Sequence, residues 1–286
     1  MSRRVAALAA LALGSTAAPG LAQSAGPWRS VEVSRQLRDT LPQRIRVRYG
    51  AGKVDVRGST APLLYSMRLR YDESRSSPLH RYDAEQRSAV LGLESRRTGI
   101  RTANERNETG ELMLALPRSV PIDLSFELGG TQSTLELGGL SLQSLRLECG
   151  ATDATLMFTT PNRTRLREME IDVGAADFFA QHLANANAET VRLRGGVGVV
   201  DLEFGGTWTQ DMNVSARLAI GQLILRVPAD VGVRLEVQRV AAGFDHPGLI
   251  KRDDAWYSDN WETAPHKLHV RAETFFGKID VRRMAR

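Results

Sequence analysis

Asp153 and Asp177 each stand fourth in a Gly-led tetrapeptide, Gly150-Ala151-Thr152-Asp153 and Gly174-Ala175-Ala176-Asp177. If the two segments stack as neighbouring rungs of a sheet, these carboxylates lie ~4.8 Å apart. Retaining glycosidases keep their two carboxyl groups about 5 Å apart, so a polysaccharide-cleaving pair is one chemistry to weigh. Turn formation explains the same pattern better, because Asp beside Gly bonds the local backbone. No repeated Asp-rich motif supports a calcium ladder.

Other reactive types are scattered. The five histidines, His80, His182, His246, His266 and His269, show no metal spacing. His266 and His269 are three apart, an odd offset that places them on opposite faces of a strand. There is no GxSxG elbow, Walker loop or SxxK, and no helix follows Gly195-Gly196-Val197-Gly198, so nucleophilic and phosphate chemistry lack a foothold. The lone Cys149 shares phase with Leu145 and Leu147 and reads as a small buried apolar side chain; with one cysteine no intramolecular disulfide can form. No catalytic residue, metal or cofactor is called for.

One stretch gathers groups suited to binding. Between Gly243 and Pro265, Trp256, Tyr257 and Trp261 stand beside Asp253 and Asp254, a mixture of aromatic faces and carboxylates that fits a carbohydrate or protein partner. The structural alternative, and the favoured one, is that these aromatics plug an open end of the fold.

The elements that must position these residues come from a repeat. Four-residue turns begin at Gly129, Gly150, Gly174, Gly196 and Gly221, and alternating apolar positions flank each of them. Period two on both sides means strands with one buried face. Tyr49 to Val54, Cys149 to Ala154, Val173 to Phe178 and Ile220 to Leu225 are each five residues apart across the turn, so a four-residue corner returns the next strand to the same core. Gly50-Ala51-Gly52-Lys53-Val54-Asp55-Val56-Arg57 and Phe275-Phe276-Gly277-Lys278-Ile279-Asp280-Val281-Arg282 repeat the frame near the two ends. Hairpins and solenoid corners both fit. A repeat of about 21–25 residues that cannot bury its own apolar face must stack on its neighbours. The expected fold class is therefore all-β, a solenoid-like stack of Gly-turned strand repeats. The segment 181–188 lacks an apolar stripe and reads as a short helix or loop. Residues 71–82, 96–109 and 243–265 break the rhythm and are expected to protrude or cap.

Met1–Arg4 is basic, Val5–Leu13 apolar, and residues 19–22 end in small residues, the pattern of a secretory leader cut after Ala22. The apolar run is shorter than the ~20 residues of a membrane span, and no later segment is long and apolar enough for one. Removing Arg3 and Arg4 leaves 36 basic against 33 acidic residues. The arginines alternate with apolar residues, as in Arg44-Ile45-Arg46-Val47-Arg48, and solvate a sheet face. Clustered bases with stacking aromatics are absent, which argues against nucleic acid.

The segments 47–56, 225–233 and 257–268, together with the serial Gly-Ala turns, make the chain resemble the toast-rack family of bacterial envelope proteins. That family is related to the C-terminal domain of LiaF-type cell-wall-antibiotic response proteins and to solenoid adhesins. The resemblance implies a right-handed stack with an N-terminal subdomain before about residue 110, so that with the leader the chain is expected to divide as 1–22 leader, 23–110 N-terminal β subdomain and 111–286 repeat domain. It carries over no catalytic residue. LiaF-type membrane helices have no counterpart in this sequence.

The expectation is thus a non-enzymatic exported envelope module, in the periplasm or at the cell surface, with an adhesion or envelope-stress role. Its partner would be an envelope protein or polysaccharide, and its edge strands offer a route to self-association. The alternative is a β-helical enzyme acting on polysaccharide.

Overall fold

The structure, a computed structural model, describes residues 28–95 and 110–285. The expected leader and the polar stretch 96–109 lie outside the described residues. Among those described, fifteen strands form one sheet, thirteen along a single path with β4 and β5 branching from it. They are β1 (Trp28–Gln36), β2 (Gln43–Ser59), β3 (Leu63–Asp72), β4 (Ser76–Asp83), β5 (Ser88–Ser95), β6 (Glu111–Pro117), β7 (Pro121–Glu136), β8 (Ser141–Met157), β9 (Leu166–Gln181), β10 (Ala188–Glu203), β11 (Met212–Pro228), β12 (Gly232–Asp245), β13 (Leu249–Arg252), β14 (Ala255–Ser258) and β15 (Lys267–Met284).

The Gly-led segments are corners inside long strands and not hairpins. On β8, Leu145, Leu147 and Cys149 are buried before the corner; Thr152, Ala154 and Leu156 are buried after it. Gly150 and Ala151 both face solvent. The alternation resets across them, so two arms of one strand enclose a single core. Parallel pairing runs β2-β7-β8-β9-β10-β11-β15-β12. Each register sets like upon like: Cys149 pairs with Val173, and Ala154 with Phe178. The connections form the third wall, where Leu137, Leu140, Phe158, Leu183 and Phe204 are fully buried. Burying a side chain of that size stabilises by about 1.5–3 kcal/mol. Residues 183–186 form a 3-10 turn, flanked by His182 and Asn187 in the left-handed region.

One inward pair is corrected. Ile220 is solvent-exposed, whereas Tyr49, Val54, Val173, Phe178 and Leu225 are buried as expected. The register matches Gly195 with Leu218 and Gly198 with Gly221. Gly221 is therefore the third residue of its corner, equivalent to Gly198, and not the first. Gly52, Gly198, Gly221 and Gly277 all have φ between +123° and +138°, a left-handed third position distinct from the leading glycines.

The two ends are built differently. At the first, the arms of β2 part company: residues 44–48 pair with β5, which carries β4, while residues 53–59 pair with β6, followed by β3 and β1. At the other, chain order and spatial order diverge. β12 is laid down one slot away from β11, the β13-β14 hairpin folds back on it, and β15 then fills the gap. The last strand in sequence is thus interior to the stack.

An aromatic shelf at the C-terminal end of the stack

β14 pairs antiparallel with the first arm of β12, matching Tyr257 to Arg234 and Trp256 to Leu235. Neighbours on a strand point to opposite faces, so this register divides the expected binding loop. Trp256 goes inward with Leu235, its ring 5.3 Å from Phe244 and 3.9 Å from His246, and it packs against the core. Tyr257 goes outward with Arg234, whose Nε donates to the phenol oxygen at 3.0 Å. Asp253 makes the β13-β14 turn at φ 52°, and Asp254 is exposed beside it. The stretch therefore supplies both an end plug, in Trp256, and an outward surface.

Trp261 completes that surface. Its ring meets Tyr257 edge-on at 5.5 Å and His269 at 5.1 Å, and the Lys267 ammonium lies 5.3 Å over it. β15 contributes His269 because that residue registers with Arg234. Tyr257, Arg234 and His269 thus form one cross-sheet row on three strands, with Trp261 over it. The following row pairs Glu236 with Arg271, and Glu236 is held at 2.5 Å by Arg234 and at 2.8 Å by Arg271. These guanidiniums, Arg271 first, hold the Glu236 carboxyl below its ordinary range. Desolvation likewise holds the His269 imidazole below its own, which keeps it neutral near pH 7.

The loop carrying Trp261 is braced by backbone and side-chain hydrogen bonds. Trp261 N–H donates to the Ser258 carbonyl at 3.1 Å, and the Asn260 amide donates to the Ala229 carbonyl at 3.1 Å. Ser258 Oγ accepts from the Val233 N–H at 2.9 Å. Aromatic rings beside a neutral imidazole and several guanidiniums suit stacking against sugar rings and hydrogen bonding to their hydroxyls. Arg234 and Glu236 on β12 and Lys267 and His269 on β15 were invisible as a group in sequence because the two pairs lie on different strands. Their only common signal is an outward position in the alternation.

Asp153 and Asp177 do occupy adjacent rungs in register. Asp177 Oδ1 accepts from the Val199 N–H at 3.3 Å, a bond to the next corner. Asp153 also lines a groove of about 300 Å³ with Lys53, Asp55 and Glu111. Cys149 is buried, and burial pushes its thiol up to about 12, where a thiolate nucleophile does not form near neutrality. Among the described residues no three His, Cys, Asp or Glu side chains are grouped to hold a metal ion. No helix of the described residues is long and apolar enough to cross a membrane.

The family model for the N-terminal domain of toast_rack matches residues 30–178. The chain belongs to the toast-rack family. No curated protein sequence matches this toast-rack chain. Solved structures to which it is similar include three at low identity. One, provisionally named a cell adhesion protein, from Clostridium sporogenes, is 12% identical with a TM-score of 0.48, covering 90% of this chain and 100% of its own. A provisionally named adhesin from Bacteroides fragilis is 10% identical, with a TM-score of 0.38 and coverage of 88% and 97%. Another from Parabacteroides merdae is 8% identical, with a TM-score of 0.39 and coverage of 91% and 97%. The aromatic shelf of this toast-rack protein lies outside the matched span, on β12, β14 and β15.

Proposed function

We propose that this toast-rack protein is an exported, non-enzymatic recognition module of the cell envelope that holds a polysaccharide against the shelf of Tyr257, Trp261, His269 and Arg234. The carrying observation is the outward aromatic pair 5.5 Å apart, set on a hydrogen-bonded loop and backed by Arg234 and Lys267. Aromatic faces stack on the apolar faces of sugars, while basic side chains favour acidic polymers. The test is affinity electrophoresis through neutral and acidic polysaccharides and sedimentation with peptidoglycan. Retardation that Tyr257→Ala/Trp261→Ala abolishes supports the reading. Equal mobility of both proteins in every matrix defeats it, and capture of an envelope protein by the same shelf would replace polysaccharide by a protein partner. Fractionation of cells making the chain with and without residues 1–22 tests export.

A second reading, a polysaccharide-cleaving enzyme, is favoured by the groove that places Lys53 beside Asp55, Glu111 and Asp153. Release of reducing ends from a glycan panel, abolished in Asp153→Asn, would establish it. No release by the unaltered protein would remove it.

A further inference from the structure

The corner edge changes character half-way along the stack. Its first two positions read Gly129-Gly130, Gly150-Ala151 and Gly174-Ala175 on β7, β8 and β9. In register they become Gly196-Val197, Ala219-Ile220, Phe275-Phe276 and Val240-Ala241 on β10, β11, β15 and β12. Val197, Ile220, Phe275, Phe276 and Val240 are 48–74% exposed. The corner itself does not require such bulk, since β7 to β9 build it from Gly and Ala. A contiguous exposed apolar ridge of this kind marks an interaction surface.

Charge divides at the same place. The corner segments 127–132, 148–153 and 172–177 contain Glu127, Glu148, Asp153, Asp172 and Asp177 and no cation, while the β2 corner beyond them, 48–53, carries Arg48 and Lys53. Segments 194–199, 217–222, 273–278 and 238–243 contain Arg194, Arg217, Lys278 and Arg239 against Glu273 alone. The acidic half also has the complementary shape. Its glycines leave a shallow groove of about 830 Å³ floored by Leu128, Cys149 and Val173, flanked by Glu127, Glu148 and Asp172, and closed by Arg48 of β2 at one end and Arg194 of β10 at the other. Within the chain Glu127 pairs with Arg48, Glu148 with Arg146, Asp172 with Arg194, Arg217 with Glu273 and Lys278 with Asp245, their cations open to solvent, and pairs at a surface are individually weak. What remains is the excess of acidic residues in one set of corner segments and of basic residues in the other, an imbalance of the kind that steers association.

We propose that the corner edge is self-complementary and pairs two copies of this chain antiparallel, about a two-fold axis lying across the edge between β9 and β10. In that arrangement β10 faces the β9 corner of the second copy, β11 faces β8, and β15 faces β7. The apolar, basic ridge of each copy enters the glycine-lined, acid-flanked groove of the other. Arg217 comes opposite Glu148 and Arg194 opposite Asp172. Six rungs at ~4.8 Å spacing extend about 24 Å along the edge. Such an interface uses the same patch on both copies and closes at the dimer. An anionic lipid surface would suit the ridge but repel the acidic groove, so a second copy fits more of the edge.

Sedimentation velocity on the mature chain from roughly 1 to 100 μM tests this. The expected result is a concentration-dependent dimer. Ile220→Glu/Phe276→Glu alters two exposed side chains and should lower the association constant by at least about tenfold, with unchanged circular dichroism and thermal midpoint. Glu148→Arg should weaken association, and Glu148→Arg/Arg217→Glu should restore it by exchanging the two charges across the axis. Tyr257→Ala/Trp261→Ala should leave the dimer intact, which separates this surface from the shelf. A monomer throughout the range, a dimer indifferent to the ridge variant, or a charge exchange that fails to restore association overturns the proposal. So does a monomer that binds phosphatidylglycerol-containing vesicles through the ridge, which would assign the edge to lipid.

Discussion

The carbonyl oxygen of Gly198 lies 1.8 Å from the point where a β-carbon on Gly221 would sit. The relationship repeats along the stack: Gly198 stands in the same way over the Ala176 carbonyl at 1.9 Å, and Gly277 over that of Gly221 at 1.8 Å. At these third corner positions the strands are brought close enough that backbone meets backbone, and positive φ disfavours any other residue.

Gly221→Ala should therefore destabilise the fold by about 2–4 kcal/mol, combining left-handed strain with a clash against a carbonyl that cannot rotate away. Gly243→Ala is the control. Its added methyl would meet nothing nearer than 3.7 Å. A shift below about 0.5 kcal/mol is expected there. Urea unfolding midpoints of the two variants read the difference, and equal midpoints would refute the account.

These glycines also mark how far the sequence could be read. Period-two alternation around Leu145–Cys149 and Ala154–Phe158 displayed the strands and the inward offset, because a single buried face leaves a direct imprint on residue type. It could not distinguish a leading glycine from a third-position one, so Ile220 was placed inside when it belongs to the exposed ridge. Nor could it show that β15 enters between β11 and β12, since identical corner frames fit any slot. The aromatic cluster was legible as composition in residues 253–261. Its division between the inward Trp256 and the outward Tyr257 depends on the β12-β14 register, and its partners Arg234 and His269 lie on other strands.

Asn185 should prove among the least replaceable loop residues. It is buried, its amide donates to the Phe158 carbonyl at 2.8 Å, and its oxygen accepts from the Thr207 N–H at 2.7 Å. It thereby satisfies backbone groups on two neighbouring connections. Asn185→Ala strands a donor and an acceptor away from water, and each buried unsatisfied group costs about 1–3 kcal/mol. Asn185→Asp keeps the acceptor but loses the donor, so thermal midpoints should rank Asn above Asp and Asp above Ala.

Arg226 and Asp201 offer a double-mutant test. The guanidinium holds the buried carboxylate through both oxygens, Nε at 2.8 Å and Nη2 at 2.6 Å. Arg226→Met leaves Asp201 buried without its cation and should cost about 3–5 kcal/mol. Asp201→Leu/Arg226→Met removes both charges and should recover most of the loss. A double variant no more stable than Arg226→Met would show that the pair is not an energetic unit.

The fold should also weaken in alkali, with Cys149 as a principal cause. Burial pushes its thiol up to about 12 from an ordinary value of 9.0. Burial, with Glu111 adding, raises the Tyr49 phenol in the same direction. Both are neutral acids in the folded chain, so as pH rises past their ordinary values the unfolded chain releases protons that the folded chain retains. The unfolded state then binds fewer protons, and stability falls with pH. At about pH 10.5 the thiol alone should lower stability by about 2 kcal/mol relative to pH 7. Cys149→Ala should lose that part of the decline and keep the part belonging to Tyr49. Urea unfolding at the two pH values measures the difference, and parallel losses in both proteins would mean that the thiol already ionises in place.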